Sequence, residues 1–484
     1  MAFLEKYIIK VLESAAGKFS SKKEPGPSGS FYLGKAHTLY DRNKHESIYL
    51  SPREKENHVY AVGATCTGKS TFLEHMIRQH IRASEGFALF DLHGDLSEQI
   101  KRYLAYLFMG KNSAEKRSFA EKIVLIEPFH LDSVVSFNPL EVREKEKMFF
   151  TVLELVEVFR NRWADFWGPR TDELLRNTLL ILAENDLTLL EAPALLLNNR
   201  FRKSLASSVE SEETRSWLYR YNKLTEPQKT VYRDPSLNKI SEFLGDKTTR
   251  CLLGQQASSI DFRTAIDRGK WMIFNIPKGR LKSSAFLLAS LFLCKLQLAA
   301  LSRADISYAD RKPFYIFADE FQSLATKEVS AMEIILSESR KYKVFLRMAH
   351  QNIHQIDKKL TEAILGNAKM LLVFQVSHND ARVLSPEINP GAKEFLNKQI
   401  IDLGIGEAFF KMKGKPHRLL SLPLPEEKDV PEEAVEELTE LSFSFYTKPS
   451  SEIESDIRER HRNLGLIKER SGTEAAREDE ADEW

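Results

Sequence analysis

Residues 63–70 read Gly-Ala-Thr-Cys-Thr-Gly-Lys-Ser, a string whose residue types and spacing are suited to holding phosphate. It fits the pattern G-x-x-x-x-G-K-[ST]. Glycines let a short loop curl its backbone N–H groups around one centre, and converging amides bind anions. An apolar run at 58–62 precedes the loop and a helical pattern at 71–81 follows it. The loop therefore opens a helix, whose N-terminal dipole adds attraction. The spacing predicts that Lys69 reaches the β- and γ-phosphates and that Ser70 ligates Mg²⁺. Gly63, Ala64, Thr65, Cys66, Thr67, Gly68, Lys69, Ser70 and Thr71 are predicted to hold ATP.

Phosphate chemistry also needs an acid for the metal and a group to orient water. Asp319 and Glu320 follow the apolar run 314–318, and thus sit at the carboxyl end of a buried strand, where α/β sheets bind ligands. Asp319 is placed to hold Mg²⁺ directly or through water, and Glu320 to polarise the attacking water. Gln351 ends another apolar run, where it can hydrogen-bond water or phosphate. The long separation between loop and acid excludes a small kinase-like arrangement and requires a multi-strand core carrying an insertion. Cys66, Cys251 and Cys294 show no ligand spacing, which argues against a disulfide framework or a zinc site. His58, His93, His350 and His378 form no metal spacing and are read as structural or nucleotide-proximal.

The elements that must position these groups follow from the apolar pattern. Runs at 58–62, 86–91, 122–126, 271–276, 314–318, 344–349 and 370–375 are nearly continuous and alternate with helical stretches. Such strands belong to a parallel sheet covered on both faces. The expected fold is α/β: a RecA-like P-loop NTPase core with a mostly parallel sheet, split into residues 31–145 and 247–425. Residues 146–246 are helical in pattern, with Leu174, Leu175, Thr178, Leu179 and Leu182 on one face, and are expected to form an inserted all-α subdomain. Residues 1–30 read as a basic amphipathic helix and linker. Residues 426–484 read as an acidic helical tail whose end, 472–484, is expected to be disordered. The tail has 19 Asp/Glu and 8 Lys/Arg, a net of −11, so with +1 overall the rest has +12. A basic body suits nucleic acid, and equally a merely solvated surface. No stretch reaches the roughly 18 apolar residues of a membrane span. The nearest, 285–301, is interrupted by Lys295 and Gln297 and reads as a core helix. With no secretory signal at the start, the expected location is cytoplasmic.

Further strings resemble the type IV secretion coupling proteins, the conjugative DNA-transfer branch of the FtsK–HerA superfamily. They are Gly86-Phe-Ala-Leu-Phe-Asp91-Leu-His93-Gly94-Asp95, Ser136-Phe-Asn-Pro-Leu140, Trp167-Gly-Pro-Arg170, Asp319-Glu-Phe-Gln322, Ser339-Arg-Lys-Tyr342, Ala349-His-Gln351, Gly366-Asn367 and Asp380-Ala381. The motif order is the family's from about Leu33 to Leu424. The resemblance implies a homo-hexameric ring, sequence-independent DNA in its channel and ATP between subunits. It implies that Gln351 senses the γ-phosphate. Arg340 matches the arginine finger inserted by a neighbour, with Lys341 and Lys343 as near-equivalent alternatives. It also implies a relaxase or nuclease partner and an all-α insert implicated in choosing DNA. Two departures stand out. The family's transmembrane helices are missing, so the N-terminal basic helix is expected to hold the ring to a membrane surface or to a protein. Cys66 stands where the family often has glycine. The alternatives are a HerA-type repair or defence translocase acting with a nuclease, and an ATP-switched assembly module that does not touch DNA.

Overall fold

The computed structural model describes residues 27–37, 45–324, 331–415, 417–426 and 428–467. The proposed N-terminal helix and the acidic end at 472–484 lie outside these residues.

The described residues form thirteen strands: β1 Phe31–His37, β2 His45–Leu50, β3 Val59–Val62, β4 Gly86–Asp91, β5 Ile123–Ile126, β6 Val134–Val135, β7 Trp271–Asn275, β8 Phe314–Ala318, β9 Val344–His350, β10 Met370–Val373, β11 Glu407–Met412, β12 Arg418–Ser421 and β13 Thr447–Lys448. Eleven make one sheet, in the order β2-β1-β12-β11-β10-β3-β9-β8-β4-β7-β5. From β10 to β5 every pairing is parallel. These seven strands are the seven apolar runs. The expected α/β class with a mostly parallel sheet holds. From β10 outward the sheet continues through four antiparallel neighbours, β11, β12, β1 and β2.

The parallel strands are buried on both faces because successive side chains point to opposite sides. Tyr60 and Val62 enter one apolar cluster, Val59 and Ala61 the other. Phe90, Phe274 and Ile316 join the first, while Phe87, Ile273 and Phe317 join the second. Helices Lys69–Arg82 and Asp95–Met109 cover the second face.

Between β6 and β7 every described element is helical. Helix Pro169–Glu184 buries Leu174, Leu175, Thr178, Leu179 and Leu182, and its apolar face belongs to the same cluster as one face of the sheet. Buried Asn138 pins the junction: its amide donates to the carbonyls of Leu187 and Gln256. Helix Ser283–Ser302 is, among the described residues, the one long and apolar enough to cross a membrane by length and composition. Here 72% of its most apolar window is buried inside the protein. Lys295 turns its ammonium onto the carbonyls of Pro139 and Glu141.

Residues 428–467 pack onto the body. Helix Glu432–Tyr446 sets Leu438 and Phe443 into the second cluster. β13 pairs antiparallel with β6, and helix Ser450–Asn463 buries Ile453 and Ile457 in the first. Glu191, fully buried, joins this last helix to the helical segment through Arg460 at 2.9 Å and His461 at 2.7 Å.

Candidate active site

The sheet order brings distant residues to one place. β3, β9, β8, β4 and β7 are adjacent and parallel, so the segments leaving their carboxyl ends meet along one edge.

Residues 63–70 leave β3 and enter helix Lys69–Arg82. The loop is held by its own backbone: Gly63 N–H donates to His350 O at 3.2 Å and Ala64 N–H to Gln375 O at 2.7 Å. A side chain at Gly63 would place Cβ 2.5 Å from Phe374 Cβ, so only glycine fits. Gly68, at φ 111°, sits where L-residues rarely go and turns the chain into the helix. Cys66 takes φ 63° without being glycine, a conformation costing about 1–3 kcal/mol. Glycine at this position would relieve that strain, which gives the departure at Cys66 a physical meaning.

The side chains converge as follows. Ser70 Oγ donates to Asp319 Oδ2 at 2.6 Å. Lys69 Nζ donates to Ala64 O at 2.7 Å, folded back over the loop. Loss of hydration lowers the Lys69 pKa, against the pull of Asp319 and Glu320. Asp319 keeps part of its surface open in the cleft. Enough protein surrounds its carboxylate that desolvation, aided by Asp91, raises its pKa despite the Ser70 hydrogen bond. Asp91 ends β4, and its carboxylate accepts the N–H groups of His93, Gly94 and Ser97.

Glu320 is buried and adopts φ 55°, ψ 49°, the left-handed conformation rare for glutamate. Three donors surround its carboxylate: Lys278 Nζ at 2.9 Å, His93 Nε2 at 2.8 Å and Gln351 Nε2 at 2.5 Å. Burial pushes the Glu320 pKa up, but Lys278 and His93 outweigh it and hold it below the usual range. Gln351 also accepts from Thr65 Oγ1 at 3.3 Å and so bridges loop and acid. Beneath it, buried His350 meets Tyr60 Oη through Nδ1 at 2.7 Å, and burial pushes its pKa down to about 4.

Lys69, Ser70, Thr65, Asp319, Glu320 and Gln351 thus share one cleft. Arg340 does not join them. It lies in the turn Ser339–Tyr342 before β9, at the amino end of the sheet, where its charge lowers the pKa values of His58 and Lys369. Lys278 was not singled out by sequence reasoning, and His93 was read only as structural or nucleotide-proximal; His93 leaves the carboxyl end of β4, which adjoins β8, and Lys278 that of β7, the next strand beyond β4.

The residues fit a nucleotide with its metal. The amides of 65 and 66 belong to exposed residues, Lys69 can turn from a carbonyl toward an anion, and Ser70 with Asp319 offers two oxygens 2.6 Å apart. Among the described residues no group of three His, Cys, Asp or Glu is assembled for a metal ion. That accords with Mg²⁺, which takes one or two protein oxygens and completes its shell with phosphates and water.

Comparisons with known proteins bear on one segment and on the fold. Residues 313–388, which contain β8, Asp319, Glu320, Arg340, β9, Gln351 and β10, match the family described as the TraM recognition site of TraD and TraG. The fold matches the bacterial conjugative coupling protein TrwB lacking its first 70 residues, unbound, with 14% identity and a TM-score of 0.58 over 79% of this chain and 88% of that one. TrwB in complex with ADP and Mg²⁺ matches with a TM-score of 0.53 and 14% identity over 78% and 88%. VirB4 of Thermoanaerobacter pseudethanolicus matches with a TM-score of 0.54 and 14% identity over 85% and 99%. No curated protein matches by sequence. The resemblance to type IV secretion coupling proteins is borne out in residues 313–388, and the fold is shared with TrwB and VirB4 over most of the chain.

Proposed function

We propose that this chain is an ATP-hydrolysing motor that moves DNA in conjugative transfer, working as a ring of six on the cytoplasmic side of the membrane. The observation that carries the reading is the 2.6 Å hydrogen bond from Ser70 Oγ to Asp319 Oδ2, which joins the phosphate loop to the strand-end acid. TrwB, whose fold this chain shares, has been solved with ADP and Mg²⁺.

The loop amides and Lys69 bind the phosphates, and Ser70 with Asp319 holds the metal. When bound, Mg²⁺ supplies neutralisation of phosphate charge. Glu320 orients and polarises the attacking water, and Gln351 links that acid to Thr65 and so to the loop. Arg340, remote from its own cleft, serves as the finger that stabilises phosphoryl charge in a neighbouring protomer. Grip on DNA runs through backbone phosphates, so translocation is sequence-independent. The match of residues 313–388 to a TraM recognition site supports a protein partner in addition to DNA.

The test is ATP turnover by the full chain with and without DNA. Lys69→Ala is expected to abolish turnover, and Glu320→Gln to retain nucleotide binding but stop hydrolysis. Wild-type rates in both variants would overturn the site. A rate that ignores DNA would leave an ATP-switched assembly module as the reading.

A further inference from the structure

Glu320 is the water-orienting acid of the reading above, and the inference here rests on that role. A carboxylate orients and polarises water through its free lone pairs. Here Lys278, His93 and Gln351 occupy both oxygens of Glu320 at 2.9, 2.8 and 2.5 Å. The lysine and ring donors both act on Oε2, and the amide acts on Oε1. Three of its roughly four lone-pair positions are thus taken, and an acid engaged in this way is held back from water.

Of the three donors, Lys278 belongs to a segment that is rich in cations and open to solvent. It leaves β7 in the short turn Lys278–Leu281, and its side chain remains 39% exposed despite the ion pair. Lys278, Gly279, Arg280, Leu281 and Lys282 carry three cations in five residues, and Gly279, Arg280 and Lys282 are exposed. Arg280 lies over the ring of Phe129, and among the described residues neither Arg280 nor Lys282 has an ion-pair partner. A segment with two unneutralised cations beside a third that grips the acid is suited to a polyanion with closely spaced charges. Duplex DNA has one charge per roughly 1.7 Å of its axis.

We propose that the 278–282 segment is a DNA-phosphate sensor: Lys278 locks Glu320 in the absence of DNA, and backbone phosphates engaging Lys278, Arg280 and Lys282 draw Lys278 away and free the acid. ATP turnover then waits for the track on which the motor works. Lys278 acts on the reaction through Glu320 and is a positioning residue.

The experiment is ATPase rate of the full chain at fixed ionic strength, titrated with a 40-nucleotide single strand and with its duplex. Wild-type protein is expected to be slow alone and stimulated several-fold. Lys278→Ala is expected to start near the stimulated rate and to gain less than twofold from DNA. Lys278→Arg, which preserves the ion pair, is expected to restore low basal turnover and stimulation, a rescue that a packing defect would not give. Arg280→Ala with Lys282→Ala is expected to raise the half-stimulating DNA concentration about tenfold, through the lost phosphate contacts. A Lys278→Ala protein with a wild-type basal rate and full stimulation would overturn the sensor while leaving the active-site reading intact. Absence of turnover in wild type would instead overturn the active-site reading.

Discussion

Replacing Gly63 by alanine tests whether the loop's position, and not only its composition, makes the site. The added Cβ would lie 2.5 Å from Phe374 Cβ and 2.8 Å from Thr67 Oγ1. Carbon–carbon contacts settle at about 3.5–4.0 Å, so something must move by roughly 1 Å. Phe374 is fully buried and cannot yield easily. The loop yields, against the hydrogen bonds that hold Gly63 to His350 and Ala64 to Gln375. Overpacking of this kind costs about 1–3 kcal/mol. If restoring the amide cradle for a nucleotide costs that amount, affinity falls roughly 5- to 150-fold. Titration with a fluorescent ATP analogue reads the effect directly. Gly110→Ala is the matched control, since its φ is −77° and nothing lies within 4 Å of the added carbon. It should bind like wild type. Gly63→Ala binding within twofold of wild type would refute the steric argument.

Two further outcomes concern stability. Glu191→Ala should cost about 3–5 kcal/mol, because Arg460, His461 and the Thr188 N–H and hydroxyl lose a buried acceptor; urea unfolding with hydrogen exchange over 450–463 should show this helix loosening first, and a change under 1 kcal/mol would refute the ion-pair account. Acid should destabilise the fold through its buried neutral histidines, because burial lowers His58 to about 3 and His80 and His350 to about 4, whereas the unfolded chain takes up these protons near pH 6.5. Their contribution is complete above pH 6.5 and is lost as pH falls toward the folded values, at about 1.4 kcal/mol per unit for each histidine, so urea midpoints that do not drop between pH 6.5 and 5 would contradict the sign.

The central sheet was legible because each of its seven parallel strands is buried on both faces and reads as an unbroken apolar run. The four antiparallel strands beyond β10 were not, and their sequences explain why. β2 spends three of its six residues exposed at the chain edge, β12 has two buried residues, and Gly34 interrupts β1 beside an irregularity in its pairing with β2. Their partners are set by long-range topology, so no local period marks them. The acidic charge after residue 425 spoke for solvent. It concealed the apolar stripe of Ala434, Val435, Leu438 and Phe443 that fastens helix Glu432–Tyr446 to the body.

The site divides along the same line between what is local and what the fold assembles. The phosphate loop is a local object: its glycines, lysine and serine must be near-consecutive to work, so spacing alone reveals them. The surroundings of Glu320 are not local. Its partners come from segments leaving β4, β7 and β9, at positions about 230, 40 and 30 residues away in sequence. What unites them is a topological position. His93 is two residues past β4, Lys278 three past β7, Glu320 two past β8 and Gln351 one past β9. Adjacent parallel strands end at one edge, so polar residues just beyond those ends must face one another whatever their separation along the chain. Sequence reasoning used that rule for Asp319, Glu320 and Gln351, and left His93 as structural or nucleotide-proximal. Applied to every central strand, it would also have placed a lysine and a histidine beside the acid, and with them the question of what keeps that acid idle until the motor is engaged.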